Sequence, residues 1–329
     1  MPAPSNSDVT HLEIPEYGLL AEIARRYYIE GETQDSIARA LDLSRMKVNR
    51  MIKEAQEAGL VEIRVRFHSS QTRELERELC DRFGLKHLLI APGSQSPDQQ
   101  RRNVAMTVTH FLESNLRENL IVAVGMGRNV AAVAENQASR TFQSLTFVSG
   151  SGGAAEAGSE GNADHICRNL ARRFGGNAVT LYAPAYVSEA DLRESLMRNA
   201  TVRRTLNLAR SADFALVGIG DLGPDSHMAR MGWFSREEMQ KAQDAKVVGD
   251  LMGYDFFDAS GTPCNDALGG RVIGLTREDL QRISTTIAIA SEPSKAMAIL
   301  GALRTGTIDV LATSLSNCLA IKAMLEAGQ

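Results

Sequence analysis

The sequence predicts an α/β protein with a small helical domain at residues 1–66 and a larger parallel-sheet domain at residues 67–329. Near the N-terminus, two short segments carry apolar residues at helical spacing and are separated by a tight turn. Farther on, apolar strands, glycine-containing loops and helices alternate several times, which is typical of a parallel sheet covered on both faces. A chain of 329 residues is long enough for both parts.

Residues 33–53 predict two helices joined by a turn. Thr33 and Ser44 are each expected to begin a helix, because their hydroxyl groups can accept a hydrogen bond from an otherwise unpaired backbone amide. Asp42 lies in the turn, where a left-handed backbone is required and Asp tolerates it better than most residues. The pattern is that of a helix-turn-helix, a motif that places its second helix in the major groove of DNA.

Two flanking segments extend this motif. Upstream, apolar residues 19, 23 and 27 recur at helical spacing and predict a supporting helix. Gly59 is expected to end the second helix. Residues 61–66, VEIRVR, alternate apolar and charged side chains, as a half-exposed strand does. The prediction is therefore a winged helix-turn-helix domain.

The outward face of the second helix supplies the candidate DNA contacts. Arg45, Asn49 and Arg50 are expected near base edges, because recognition helices touch bases with their N-terminal part. The full predicted set is Ser44, Arg45, Lys47, Asn49, Arg50 and Lys53, with Ser44 and Lys47 mainly on phosphates. Two short amphipathic helices also occur in proteins that never meet DNA. The basic residues crowded into this region of an acidic chain favour the DNA interpretation.

The bulk properties limit the function classes. A net charge of −4 excludes a general polyanion binder, so contact with nucleic acid must be local and sensitive to salt. The sequence has no apolar run long enough to cross a membrane and no secretory signal at its start, which predicts a cytoplasmic protein. The four cysteines are scattered, so no metal cluster, disulfide framework or cofactor is expected: Cys80, Cys167, Cys264 and Cys318.

Short loops follow five of the predicted strands, and the first three of these loops contain glycine. The loops are residues 125–129, 149–153, 219–223, 291–295 and 313–316. In parallel sheets ligands bind at the carboxyl ends of the strands, where these loops lie. Gly125 and Gly127 suggest a dinucleotide fingerprint, but Val130 stands where its third glycine is required. The amides of this loop suit a phosphate or a hydroxyl-rich ligand, whereas the simpler interpretation of its glycines is turn geometry.

Taken in order, these features resemble the SorC family of bacterial sugar-responsive transcriptional regulators. The resemblance rests on residues 21–28, 33–34, 43–44, 48–50, 59–64, 124–128, 215–220, 249–258 and 295–304. It implies a Rossmann-like effector domain with the phosphosugar isomerase fold. It also implies an operator in double-stranded DNA, a phosphorylated sugar or polyol effector, and a dimer or tetramer. The expected function is regulation of a carbohydrate or polyol catabolic operon.

The resemblance also carries over candidate effector-binding residues. They are Gly125, Gly127, Arg128, Asn129, Ser149, Gly150, Gly220, Asp258 and Lys295. Asp258 would bind sugar hydroxyls and Lys295 would lie near the anionic end of the ligand. Each has a simpler alternative, since Asp258 can form an acidic turn and Lys295 can be a solvated residue at a helix start. One departure is that Ser314 stands where many members have Asp, which puts the usual effector in doubt.

A second function class remains open, an enzyme of the phosphosugar isomerase type fused to a DNA-binding domain. Fold alone does not exclude it. An isomerase needs a positioned acid/base pair, and the loops supply Asp221, Asp225, Asp258, Glu292 and Lys295. Their spacing singles out no pair. The sequence therefore favours a regulator without enzymatic activity.

Overall fold

The structure, a computed structural model, describes residues 14–58, 60–61, 70–154, 161–223, 236–264 and 271–328. The chain divides into two compact units, Met1–Phe67 and His68–Gln329. Among the described helices, none is both long and apolar enough to span a bilayer.

The first unit contains three helices around one small core. They are α1 (Ile14–Tyr28), α2 (Gln34–Ala40) and α3 (Arg45–Glu57). The hydroxyl of Thr33 accepts from the amide of Ser36 and that of Ser44 from the amide of Lys47, which confirms both predicted caps. Asp42 has a φ of 52°, as the turn requires. The buried core is formed by Leu20, Ile23, Ala24, Ile37, Ala38, Val48, Met51, Ile52 and Ala55.

The predicted wing falls largely beyond what the structure describes. Helix α3 ends at Glu57, and Ala58 is its C-cap residue. Gly59 and residues 62–66 lie outside the described residues, so the strand expected at residues 61–66 stays a prediction.

In the described part of the second unit, nine strands alternate with ten helices. The strands are β1 (His87–Ala91), β2 (Ile121–Val124), β3 (Phe142–Ser149), β4 (Gly175–Val179), β5 (Phe214–Gly220), β6 (Val247–Leu251), β7 (Asp255–Asp258), β8 (Thr285–Ile289) and β9 (Val310–Ser314). The helices are α4 (Ser70–Phe83), α5 (Pro97–Asn115), α6 (Arg128–Glu135), α7 (Ala163–Phe174), α8 (Ala190–Arg198), α9 (Ala200–Arg210), α10 (Arg236–Asp244), α11 (Arg277–Arg282), α12 (Ala296–Arg304) and α13 (Leu315–Glu326). A single 3₁₀ turn, Pro293–Lys295, precedes α12.

Seven strands form a parallel sheet in the order β1-β9-β8-β5-β2-β3-β4, which confirms the predicted architecture. From β2 the chain proceeds outward through β3 and β4, whereas β5, β8 and β9 lie on the other side. The order therefore reverses between β2 and β5, and ligands of open α/β sheets bind at such a reversal.

The sheet is covered on both faces. Within β2, Ala123 packs in one apolar cluster while Val122 and Val124 pack in the other. Strand β9 alternates in the same way, with Leu311 on one side and Val310 on the other. Successive side chains of a strand point to opposite faces, so burial on both explains why these strands read as continuous apolar runs.

A β-hairpin departs from the parallel arrangement. Strand β6 pairs antiparallel with the end of β5 and with β7. The guanidinium of Arg277 on α11 holds the carboxylate of Asp255 on β7 at 2.8 and 3.1 Å. Both side chains are buried, and this two-point ion pair fixes the hairpin against α11.

Candidate functional site

Five of the six candidate DNA-contacting residues lie on the solvent face of α3, the sixth, Ser44, is its N-cap, and each of the six is exposed. The side chains of Arg45 and Arg50 are 69% and 68% exposed. On the opposite face of the helix, Val48 and Ala55 are completely buried. The helix therefore presents a basic, polar face to solvent while its apolar stripe closes the core of the first unit.

The neighbours of these residues are weak surface partners. Arg45 lies 3.7 Å from the carboxylate of Asp35, and Arg50 lies 3.2 Å from that of Glu54. Gln34, the first residue of α2, donates a 3.4 Å hydrogen bond to the side-chain oxygen of Asn49. Exposed pairs of this kind contribute between zero and about 1 kcal/mol, so phosphates or bases can replace them at little cost.

Sequence reasoning missed one residue on this face, Met46. Its side chain is 82% exposed between Arg45 and Lys47, at the second position of α3. The sequence did contain a signal for it, because the apolar Met46 does not fit the helical spacing of the buried apolar residues that begin at Val48. An apolar side chain at the start of a recognition helix can contact the methyl group of thymine.

A second candidate site is a cluster of polar side chains at the carboxyl ends of β2, β5 and β8. Lys295 links the loop after β8 to the end of β5 in this cluster. Its ammonium donates to the carbonyl oxygen of Ile219 at 2.7 Å and lies 3.2 Å from the carboxylate of Glu292. The Lys295 side chain is only 12% exposed, so the alternative of a solvated lysine is wrong. The loop after β8 is thereby joined to the end of β5.

Asn129, at the start of α6, joins the loop after β2 to the same cluster. Its amide group donates to Glu292 at 2.9 Å, and its oxygen accepts from the hydroxyl of Ser291 at 2.6 Å. Gly127 has a φ of 108°, which turns the chain into α6. Among the described residues, no atom lies within 4 Å of the place where a Cβ of residue 127 would be.

Two arginines lie close to the carboxylate of Glu292. A guanidinium nitrogen of Arg101 and one of Arg128 are each 3.8 Å from its Oε1. Burial opposes ionisation of Glu292. The charge of Lys295 and the hydrogen bond from Asn129 outweigh that effect and lower the pKa of Glu292 to about 2. The carboxylate is therefore ionised at neutral pH.

Residues at the end of β9 and the start of α13 also belong to the cluster, and they contribute hydroxyl and amide groups rather than a carboxylate. The side-chain amide of Asn317 donates to the backbone oxygen of Glu292 at 3.2 Å and to the hydroxyl of Thr313 at 2.9 Å. The hydroxyl of Ser314 caps α13 by accepting from the amide of Asn317. Ser and Asp are comparable N-cap residues, so Ser314 keeps the capping function that an Asp at this position would have.

Gly220 has a steric role at the end of β5. A Cβ at this position would overlap the carboxylate of Asp250 on β6. Asp250 is fully buried and accepts a 2.6 Å hydrogen bond from the amide of Gly253. Burial raises its pKa to about 7. Sequence reasoning missed Asp250, since its burial depends on the hairpin that brings β6 to β5.

The loop at residues 149–153 was expected to cradle a ligand, but three of its backbone amides already have partners. They donate to carbonyl oxygens of neighbouring segments: Gly150 to Val124, Gly152 to Ile273 and Gly153 to Ala183. Ser149 is buried beside the thiol of Cys167. A Cβ at Gly152 would overlap Pro184. Gly150 and Gly152 therefore serve close packing, and the contacts of Ser149 and Gly150 lie outside the cluster around Glu292.

Asp258 also requires a correction. Its carboxylate accepts from the amide of Ser260 at 2.8 Å, from its hydroxyl at 2.6 Å and from the amide of Thr262 at 2.9 Å. These bonds, chiefly that of the Ser260 hydroxyl, lower the pKa of Asp258. Its backbone oxygen packs against Gly301, in the second half of α12. The acidic turn, which the sequence left open as the alternative, is the observed arrangement, and Glu292 is the acid within the cluster.

Comparisons with known proteins agree with this architecture. A family described as "Putative sugar-binding domain" matches residues 68–325. The transcriptional regulator LsrR of Klebsiella pneumoniae subsp. pneumoniae is 29% identical over 318 residues, which cover 95% of each chain. The deoxyribonucleoside regulator of Bacillus subtilis is 26% identical over 289 residues, covering 87% of this chain and 91% of that protein.

Solved structures show the same relationship. The sugar-binding domain of a transcriptional repressor from Vibrio fischeri is 46% identical, covers 77% of this chain and 99% of its own, and has a TM-score of 0.71. The full-length sorbitol operon regulator SorC from Klebsiella pneumoniae is 25% identical, covers 96% and 99%, and has a TM-score of 0.75. The chain therefore belongs to the family of this sugar-binding domain and is a member of the SorC-type transcriptional regulators.

Proposed function

We propose that this protein binds an operator in double-stranded DNA and regulates a carbohydrate or polyol catabolic operon. A phosphorylated sugar or sugar-derived effector sets its affinity for that operator. The observation that carries the DNA-binding part is α3, whose apolar stripe is buried while its exposed face groups Arg45, Lys47, Asn49 and Arg50. Basic and amide side chains on such a helix suit phosphate oxygens and base edges in the major groove.

The effector part rests on the cluster at the reversal of the strand order. Three cationic side chains, from Arg101, Arg128 and Lys295, lie within 4 Å of the carboxylate of Glu292 there. Cations at the carboxyl ends of parallel strands suit an anionic ligand such as a sugar phosphate. The named relatives include regulators of a sorbitol operon and of deoxyribonucleosides, which supports a carbohydrate-derived effector.

Binding fits this cluster better than catalysis. Glu292 has a pKa of about 2, so at neutral pH it has no proton to donate and is a very weak base. Asp250 has a pKa near neutrality but is fully buried behind Gly220, where a substrate has no access to it. We therefore propose a regulator without isomerase activity, acting in the cytoplasm where its DNA lies. Turnover of any member of a sugar-phosphate panel by the purified protein would overturn this.

We propose a dimer or tetramer as the active form. Helix-turn-helix proteins normally act in pairs on half-sites about 34 Å apart. The apolar residues Leu75 and Leu79 of α4 are buried within the second unit, so they do not take part in the contact between subunits. Light scattering at micromolar concentration should give at least twice the mass of one chain, 35.7 kDa. A monomer both with and without DNA would contradict the proposal.

Selection from a random duplex library tests the DNA-binding proposal. The wild-type protein should enrich a sequence with two related half-sites, and its affinity should fall steeply as salt rises. The selected duplex then allows a screen of phosphosugars and polyols for compounds that change its binding. Failure to enrich any sequence at low salt would contradict the proposed function.

A further inference from the structure

The carboxylate of Glu292 stands where cations from three places in the fold converge. Lys295 follows it in the same turn, Arg128 begins α6, and Arg101 lies in the first half of α5. The nitrogen–oxygen distances are 3.2 Å to Lys295 and 3.8 Å to each arginine. The Glu292 side chain is 17% exposed, so these charges act where water screens them little.

This arrangement leaves polar atoms unpaired. Within the described residues, Oε1 of Glu292 and Nε of Arg101 are buried and make no hydrogen bond. A distance of 3.8 Å to each arginine is too long for a hydrogen bond. Buried polar groups without partners cost about 1–3 kcal/mol each. Arg101 also pairs with the exposed carboxylate of Asp98 at 2.9 Å, yet in the described part of the chain its Nε and Oε1 of Glu292 stay without a hydrogen bond. A phosphate has more oxygens than a carboxylate to offer these groups.

We propose that Glu292 is an internal stand-in for the anionic group of the effector, which displaces it from Arg101, Arg128 and Lys295 when it binds. This inference rests on the proposed function, because it assumes an anionic effector in this cluster. Since the carboxylate is ionised at neutral pH, it competes with the ligand under all physiological conditions. Its negative charge thus sets the affinity of the site.

Displacement of Glu292 has a defined structural consequence. Its side chain orients Asn129 at the start of α6, and its backbone oxygen accepts from Asn317 near the start of α13. Ser291, next to it, donates to Asn129. A ligand that moves Glu292 therefore releases contacts to two helices at once. Binding at this one turn therefore changes the contacts of two helices elsewhere in the domain.

Glu292→Gln tests the inference, because it removes the charge while keeping the size and the hydrogen bond to Asn129. Titration calorimetry with inorganic phosphate should show at least tenfold tighter binding by this variant than by wild type, which corresponds to about 1.4 kcal/mol. Glu113→Gln is the matched control. Glu113 is also a mostly buried carboxylate on α5, bonded to Ser139 and about 18 Å along the helix from Arg101. The control should bind phosphate as wild type does.

Equal or weaker phosphate binding by Glu292→Gln would overturn the inference. Circular dichroism establishes whether the variant is folded. Should it not fold, Glu292→Asp takes its place, because a carboxylate one methylene shorter keeps the charge but withdraws it from the cations. That variant should bind phosphate more tightly than wild type by a smaller factor, and no tightening overturns the inference as well.

The two proposals fail in distinguishable ways. If phosphosugars alter DNA binding by wild type but Glu292→Gln shows no tighter phosphate binding, only the role of Glu292 is wrong. If neither wild type nor Glu292→Gln binds phosphate and no phosphosugar alters DNA binding, both this inference and the anionic effector are wrong.

Discussion

Replacing Asp250 with Asn should make the free energy of unfolding less dependent on pH. Asp250 is completely buried, and burial raises its pKa from 3.8 to about 7. The nearby negative charges of Asp221 and Asp255 raise it further, whereas Lys295 and the amide of Gly253 lower it. An Asn side chain matches the protonated acid in size and keeps an oxygen for the 2.6 Å hydrogen bond from Gly253.

The sign and size follow from proton linkage. Between about pH 4 and pH 7 the folded protein retains a proton on Asp250 that the unfolded chain has lost. Stability from this group is therefore fully present below the unfolded pKa and is lost as pH rises through the folded pKa. A shift from 3.8 to about 7 corresponds to an order of 4 kcal/mol. The Asn side chain does not titrate, so this loss should be absent in the variant.

Urea unfolding followed by circular dichroism at about pH 4, 6 and 8 measures the difference. From pH 4 to pH 8, the free energy of unfolding of wild type should fall by several kcal/mol more than that of Asp250→Asn. Asp258→Asn is a suitable control, because the pKa of Asp258 is lowered and that group does not titrate between pH 5 and 8. Parallel stability curves for wild type and Asp250→Asn would refute the assignment of a protonated, buried carboxyl group.

Three further predictions concern binding. Asn49→Ala and Arg50→Ala should each weaken binding to the selected duplex by roughly 1–3 kcal/mol in gel-shift titrations, and unchanged affinity in both would contradict the proposed recognition face. Met46→Ala should lose the preference for thymine over deoxyuridine at one position of each half-site, and a preference equal to that of wild type would exclude a methyl contact. Arg128→Ala and Lys295→Ala should keep DNA affinity but lose the response to the effector in the same titrations. Wild-type response in both would place the effector elsewhere.

The features that sequence predicts well are local. The caps at Thr33 and Ser44 and the left-handed Asp42 follow from the chemistry of single side chains. Six of the seven strands of the parallel sheet, all but β4, follow because burial within the sheet produces continuous apolar runs. Strand β4 was missed because it begins with Gly175 and Gly176, which weigh against a strand. Both have positive φ, and a Cβ at either would overlap the backbone of β3.

The features that sequence predicts poorly depend on long-range neighbours. The hairpin of β6 and β7 contains Asp250 and Asp255, although aspartate side chains are mostly exposed in proteins, and Arg277 stabilises it from α11. Glu292 was recognised as a loop carboxylate, but its meeting with Arg101 and Arg128 depends on the order of the strands. For Asp258, the motif suggested a ligand contact, whereas bonds within its own turn determine its place.

A ligand-controlled regulator must show linkage between the binding of its effector and the binding of its operator. The effector identified in the screen should change the dissociation constant of the selected duplex by tenfold or more, equal to about 1.4 kcal/mol of coupling. Binding equilibria are reciprocal, so saturating DNA must change the affinity for the effector by the same factor. Calorimetric titrations of effector with and without DNA should give that same factor. Effector affinity that is unaffected by DNA would show that the two activities are uncoupled and would contradict a ligand-controlled regulator.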